Sequence, residues 1–211
     1  MSWPFEPYRA PEDFDRREFS SMLCGLRRFL GSVAQSAPPP ELIQSLRADL
    51  DRWRAALAPH MTSDDDSPYG QLDDSADHGL ASLPELTIHD ETPGAVDATV
   101  TFSRWHVGGG GTVHGGQVAT VLDSLMGRSQ LADGWISRTA YLNVDYRAGT
   151  PFGRPLRAEV RTAASEGRKH FLHGWLFDGE VTFAEADALF VRVERYRHPH
   201  RVPHAETPES P

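Results

Sequence analysis

One stretch limits what this chain can fold into more than any other: Gly108 to Met126, GGGGTVHGGQVATVLDSLM. It is a glycine-rich approach, a His-Gly-Gly corner, and then a helix. Val118, Val121, Leu122, Leu125 and Met126 recur at the i, i+3, i+4 spacing of a helix that buries one face. On either side the sequence reads as strands. Leu86 to Asp90 and Val96 to Trp105 flank a Thr92-Pro93-Gly94 turn. After the helix come an alternating run from Thr139 to Arg147, then Leu156 to Ala163, Lys169 to Phe177 and Val181 to Val193. A single helix cannot interleave such strands into a parallel array, because each parallel crossover needs a covering element of its own. The expected class is therefore α+β, an antiparallel sheet with the helix at residues 115 to 131 across one face.

The texture changes before Leu83. Phe19, Met22, Leu23, Leu26, Phe29, Leu30 and Val33 form a helical stripe that ends at Pro38-Pro39-Pro40. Leu42, Ile43, Leu46, Leu50, Trp53 and Leu57 form a second. Together they read as a helical hairpin, which either packs on the main domain or a partner subunit or serves as a lid or docking module. Residues 1 to 15 read as an irregular arm, and the acidic, turn-rich residues 58 to 79 as a linker. The expected organisation is a helical extension with its linker over 1–82, a sheet domain over 83–196 and a disordered tail over 197–211.

Charge narrows the partners. Thirty acids against twenty-one Lys and Arg leave a net charge of −9 over 211 residues, which disfavours nucleic acid and anionic membrane. The one cysteine, Cys24, on a helical stripe, excludes an internal disulfide and a thiolate metal cluster. The N-terminus lacks the pattern of a signal peptide, and no apolar run approaches the ~18 residues of a membrane span. A cytoplasmic protein is expected.

The candidate chemistry gathers on the helix. Asp123 lies off the apolar stripe, on a face with Gly116, Ala119, Thr120 and Gly127, where small neighbours leave room for a ligand. Such an acid is solvated, structural or working. Gly115 and Gly116 either permit a tight corner or expose the first-turn amides to an oxyanion. His114 is either a hydrogen-bonding corner or a base. No GxxxxGK[ST], GxSxG or HExxH pattern occurs, so neither a nucleotide loop, a serine nucleophile nor a metal site is motivated.

The phrase HGGxxxxxxDSLMG, with SRTAYLNVDYRAGTPFG, EGRKHF and FAEADALFVRV following in order, resembles the hotdog-fold acyl-CoA thioesterases, in the PaaI-like branch and that of thioesterase superfamily members 4 and 5. The likeness runs over about residues 83 to 195. It implies a sheet wrapped around the helix, pairing into homodimers or homotetramers with shared active sites, and hydrolysis of an acyl-CoA substrate without a cofactor or metal. Asp123 would be the base toward water or the nucleophile, and His114, Gly115 and Gly116 the corner that polarises the carbonyl. Thr139, supplied across the dimer interface, would hold the water. Asp145, Arg147, Arg168 and Lys169 would contact coenzyme A, although Ala148-Gly149-Thr150-Pro151 departs from the arginine-proline pair of many relatives. The alternative is a non-catalytic acyl-CoA-binding or regulatory hotdog protein. A hotdog hydratase would need a paired Asp and His in a loop motif absent here.

Overall fold

The computed structural model describes residues 14–62, 67–68 and 80–195. Most of the expected arm, most of the linker and the tail therefore lie outside the described residues. Helices α1 (Arg16–Val33) and α2 (Pro40–Leu57) come first, and the hairpin β1 (Glu85–Thr92) and β2 (Ala95–Thr101) follows. Helix α3 (Gly115–Ala132) is succeeded by β3 (Trp135–Tyr146), β4 (Pro155–Glu166), β5 (Lys169–Asp178) and β6 (Val181–Arg195). The strands form one six-stranded sheet in the order β1-β2-β4-β5-β6-β3, antiparallel at every pairing. With α3 laid across one face this is the hotdog arrangement.

The expected stripe is what holds α3 there. Val118, Val121, Leu122, Leu125 and Met126 are each at most 1% exposed, and they meet the inward residues of β2, β4 and β5 in one core. Close approach depends on Gly174 of β5. A Cβ there would stand 2.8 Å from Met126 Cε and 3.3 Å from Leu122 Cδ2, so the missing side chain is the groove the helix occupies. At the far end Gly94 turns the β1–β2 hairpin with φ of 75° and donates its amide to Ser129 O of α3 at 3.2 Å. Arg128 of α3 forms an ion pair with Glu91 of β1 at 2.9 Å, with both side chains largely covered.

Three expectations are corrected. Strand β2 stops at Thr101 rather than running to Trp105, because Ser103 starts a 3₁₀ turn over Arg104–His106. The His106 ring accepts the Ser103 amide at 3.0 Å, a local closure that competes with extension of the strand. Second, α1 and α2 are not a packed hairpin. Helix α1, capped by Asp15 on the amides of Arg17 and Glu18, rests against the Arg104–His106 turn, with Gly31 facing Ser103. Helix α2 meets chiefly the turn that continues it. Pro39, held extended at φ −67° and ψ 159° ahead of the Pro40 that opens α2, keeps the two apart. Third, Cys24, placed on the apolar stripe of α1, is only half-buried, and Leu23 and Gly31 are the residues that α1 buries.

Two histidines are buried with only one ring nitrogen partnered. His106 Nδ1 takes the Ser103 amide, His170 Nδ1 lies 3.0 Å from Ser165 Oγ, and neither Nε2 has a partner among the described residues. Burial holds both below the usual histidine pKa, and for His106 the charge of Arg27 adds to the effect. The folded state thus binds fewer protons than the unfolded chain below about pH 6.5, so stability is complete above that pH and declines as pH falls through it. We expect the melting temperature to drop between about pH 7.5 and pH 5.5. His106→Asn should flatten that drop in thermal unfolding followed across pH. In the core, Gly174→Val should destabilise the fold by about 1–3 kcal/mol through overpacking against α3, and Gly174→Ala by less, since the Met126 methyl can yield. Urea unfolding of the two variants is the measurement.

Candidate active site

The N-terminus of α3 is held by a short series of backbone bonds. Val113 N–H donates to Thr150 O at 2.9 Å and His114 N–H to His106 O at 2.8 Å, which fixes the corner where the chain enters the helix. His114 is the N-cap, with its ring Nδ1 accepting from the Gly116 amide at 3.0 Å. The amides of Gln117 and Val118 both reach His114 O. Gly116 is therefore not a bare donor, as its sequence context suggested. Among the described residues, the Gly115 amide is the first-turn donor left without an acceptor. Its position is further defined by Tyr146 of β3, whose hydroxyl donates to Gly115 O at 2.8 Å. A Cβ on Gly115 would stand 3.0 Å from the Tyr146 ring, so only glycine admits this contact without a shift. Tyr146 and His106 were not singled out from the sequence. The signal for Tyr146 was a double glycine awaiting a large neighbour.

Asp123 lies on the half-buried flank of α3, as its spacing predicts, beside Ala119 and Gly127. Thr139 Oγ1 donates to Asp123 Oδ1 at 2.9 Å within the chain. Strict alternation would have turned Thr139 away from the helix, opposite in sense to Leu142 and Val144. A bulge between Thr139 and Tyr141 inserts one unpaired residue and reverses the sense, bringing Thr139 onto the α3 side.

The four remaining candidates divide into two places. Asp145 and Arg147 sit at the end of β3 near the α3 N-terminus, where Arg147 Nη2 binds Asp145 Oδ2 and Glu185 Oε2, each at 3.1 Å. The Glu185 carboxylate beside it holds the Arg147 pKa above the usual arginine value, and two acids on one guanidinium leave little charge for a phosphate. Arg168 and Lys169 lie exposed on the β4–β5 turn, with no ion pair to either among the described residues. The pairing of Lys169 with Val191 and of Asp145 with Glu185 separates the two places by six residues of β6, about 20 Å. Of the aromatic residues at the strand ends, Trp105 is exposed on its 3₁₀ turn, Trp135 lies under Arg192, and Phe152 packs on the core beneath Arg104. Among the described residues, no helix is long and apolar enough to cross a membrane, and no three His, Cys, Asp or Glu residues are grouped to hold a metal ion.

No protein-family model matches the chain. Over 86 residues, 40% of its length, it is 32% identical to acyl-coenzyme A thioesterase THEM4 of Mus musculus, and 33% identical to that of Rattus norvegicus. The match spans 37% of each of those relatives. The resemblance to acyl-CoA thioesterases read from the motifs thus has a direct sequence counterpart. Among solved structures, a thioesterase superfamily protein aligns with TM-score 0.70 and 21% identity over 87% of this chain and 94% of its own. That share of this chain is too large for residues 63–211 to supply alone, so the common fold takes in part of the helical extension. A hypothetical thioesterase of Streptococcus pneumoniae, in a structure with coenzyme A, aligns with TM-score 0.52 and 15% identity over 54% of this chain and 92% of its own. Structures of two alanine variants of that protein, one at an aspartate and one at a threonine sixteen residues later, align with TM-score 0.51.

The contact at the α3 N-terminus makes its own prediction. Gly115→Ala should push Tyr146 outward and break its bond to the Gly115 carbonyl, destabilising the chain by about 1 kcal/mol. Tyr146→Phe should cost about as much, and the double variant little more than either, which a double-mutant cycle in denaturant would measure.

Proposed function

We propose that the chain is an acyl-CoA thioesterase, hydrolysing the thioester to a free carboxylic acid and coenzyme A, with residues 83–196 as the catalytic domain. The observation that carries this reading is the 2.9 Å bond from Thr139 to Asp123 on the flank of α3 where the neighbouring residues are small. Its sixteen-residue separation equals that between the aspartate and the threonine replaced in the pneumococcal protein, and the similarity to THEM4 supports the same chemistry.

Roles follow from the hydrogen-bond directions. The Thr139 proton is committed to Asp123 Oδ1, which leaves the threonine lone pairs to accept from a water and Oδ2 to take that water's proton. As the proton moves to Oδ2, the water oxygen bonds to the thioester carbon and the carbonyl π pair moves onto oxygen. Collapse of this oxyanion breaks the C–S bond, and the departing thiolate takes the proton back from Asp123. The Gly115 amide is the donor for the oxyanion, with His114 holding the corner through Gly116.

One chain cannot supply all of this to one substrate. First-turn amides point out along the helix axis, away from Asp123. An oxygen on Gly115 would lie more than about 12 Å from the Asp123 backbone at 1.5 Å per residue, whereas the span from base through water to carbonyl oxygen is about 6 Å. We therefore infer a homodimer, or a homotetramer built from it, in which Asp123 and Thr139 of one copy face the α3 N-terminus of another. Arg168 and Lys169, exposed without acidic partners, suit the phosphates of coenzyme A better than the neutralised Arg147 beside Asp145.

The test is thiol release from short, long and aryl acyl-CoA substrates. Wild type should release thiol, Asp123→Asn should lose about 10²- to 10⁴-fold in kcat/KM, and Thr139→Ala about 10- to 100-fold. Wild type that binds acyl-CoA without releasing thiol would replace this reading with a binding protein.

A further inference from the structure

Helix α2 has a seam that nothing among the described residues covers. Ile43, Leu46, Leu50, Trp53 and Leu57 follow one another at steps of three, four, three and four, the a/d pattern of a coiled-coil interface. Yet no residue of α2 is buried, and Ile43, Leu50, Trp53 and Leu57 are 52%, 50%, 62% and 60% exposed. Apolar residues at seam spacing, all but the half-buried Leu46 exposed, call for a partner outside the chain.

The charges flanking the seam select that partner. On α2, Glu41, Asp49 and Asp51 balance Arg47, Arg52 and Arg54, whereas a helix that lies on a lipid surface carries a cationic excess. With Ile43, Leu50 and Leu57 at a, the e positions are Arg47 and Arg54 and a g position is Asp49. In a parallel pair each g faces the following e of the other helix, which sets Asp49 against Arg54 twice over. An antiparallel pair brings e against e and g against g, so arginine meets arginine and aspartate meets aspartate.

We propose that α2 docks against α2 of a second copy of this chain, parallel and in register, with Leu50 meeting Leu50. The ion pairs now made along the helix, Arg52 with Asp49 at 3.0 Å and Arg54 with Asp51 at 3.6 Å, are exposed and weak enough to be exchanged for pairs across the seam. Eighteen residues are too few to hold two chains together alone. The helix pair therefore adds to a dimer formed elsewhere, in effect clasping chains already close together. The proposal requires self-association but not thioester hydrolysis, and its test reads no activity.

The test is disulfide trapping in the full chain, with Cys24→Ser to remove the native thiol. Parallel register brings the two copies of position 50 into one layer, so Leu50→Cys should form linked dimers under mild oxidation at least about tenfold faster than Ala55→Cys on the opposite face. Asp49→Arg should slow that trapping, and adding Arg54→Asp should restore it. Equal rates at positions 50 and 55 would overturn the pairing. So would a mixture of Leu46→Cys and Leu50→Cys chains linking faster than Leu50→Cys with itself, or failure of the charge exchange to restore trapping. All of these positions are on an unburied helix, so the sheet core should fold unchanged, and thermal unfolding of each variant checks that it does.

Discussion

How closely α3 lies on the sheet, and at what rotation about its axis, fixes nearly everything else in this structure. Five apolar side chains on one stripe each contribute roughly 1.5–3 kcal/mol when buried, so rotating the helix by even one residue position would forfeit several of them. Once that stripe is pinned above Gly174, the direction of every other residue on α3 follows at about 100° per position. Asp123 arrives at the flank because the residues around it are driven to the core. The carboxylate is placed by its neighbours' hydrophobicity, not by any bond of its own that steers the helix.

The N-terminus of α3 is governed differently, by directional bonds and by the absence of side chains. His106 O receives His114 N–H, the His114 ring receives Gly116 N–H, and Tyr146 reaches the Gly115 carbonyl. Each bond depends on a glycine or a turn that lets backbone come near backbone or ring. The Arg104–His106 turn at the start of this series is also the surface on which α1 rests, so the helical extension supports the corner from behind. The extension is thereby divided in purpose. Helix α1 belongs to the domain it precedes, and α2 presents its apolar side outward.

Much of this was legible in the residues. The stripe on α3, the strands after it and the off-stripe position of Asp123 are periodic features, and periodicity is what a sequence displays most openly. What escaped was local or tertiary. The end of β2 at Thr101 reflects a ring accepting the Ser103 amide, a contact between near neighbours that no alternation reports. The supposed hairpin of α1 and α2 was inferred from two apolar stripes, but a stripe announces only that a partner exists, not which surface it is. Strict alternation misplaces Thr139 because a bulge adds one residue without any change in composition. Whether Gly115 or Gly116 kept an open amide stayed undecided in the sequence, because a histidine ring turned onto the Gly116 amide leaves no mark in the residue pattern.

That bulge gives β3 a property of its own. A regular strand addresses its residues by parity, odd to one face and even to the other, and the address survives most substitutions because it depends on counting rather than chemistry. In β3 the count is changed once, between Thr139 and Tyr141, so the strand reads in one parity where Leu142 and Val144 meet the core and in the other where Thr139 meets Asp123. The meeting of acid and hydroxyl is therefore insensitive to which side chains occupy the bulge, yet sensitive to their number. Along this strand an insertion or deletion of one residue is a different class of change from any replacement, since it would redirect Thr139 while leaving every residue type in place.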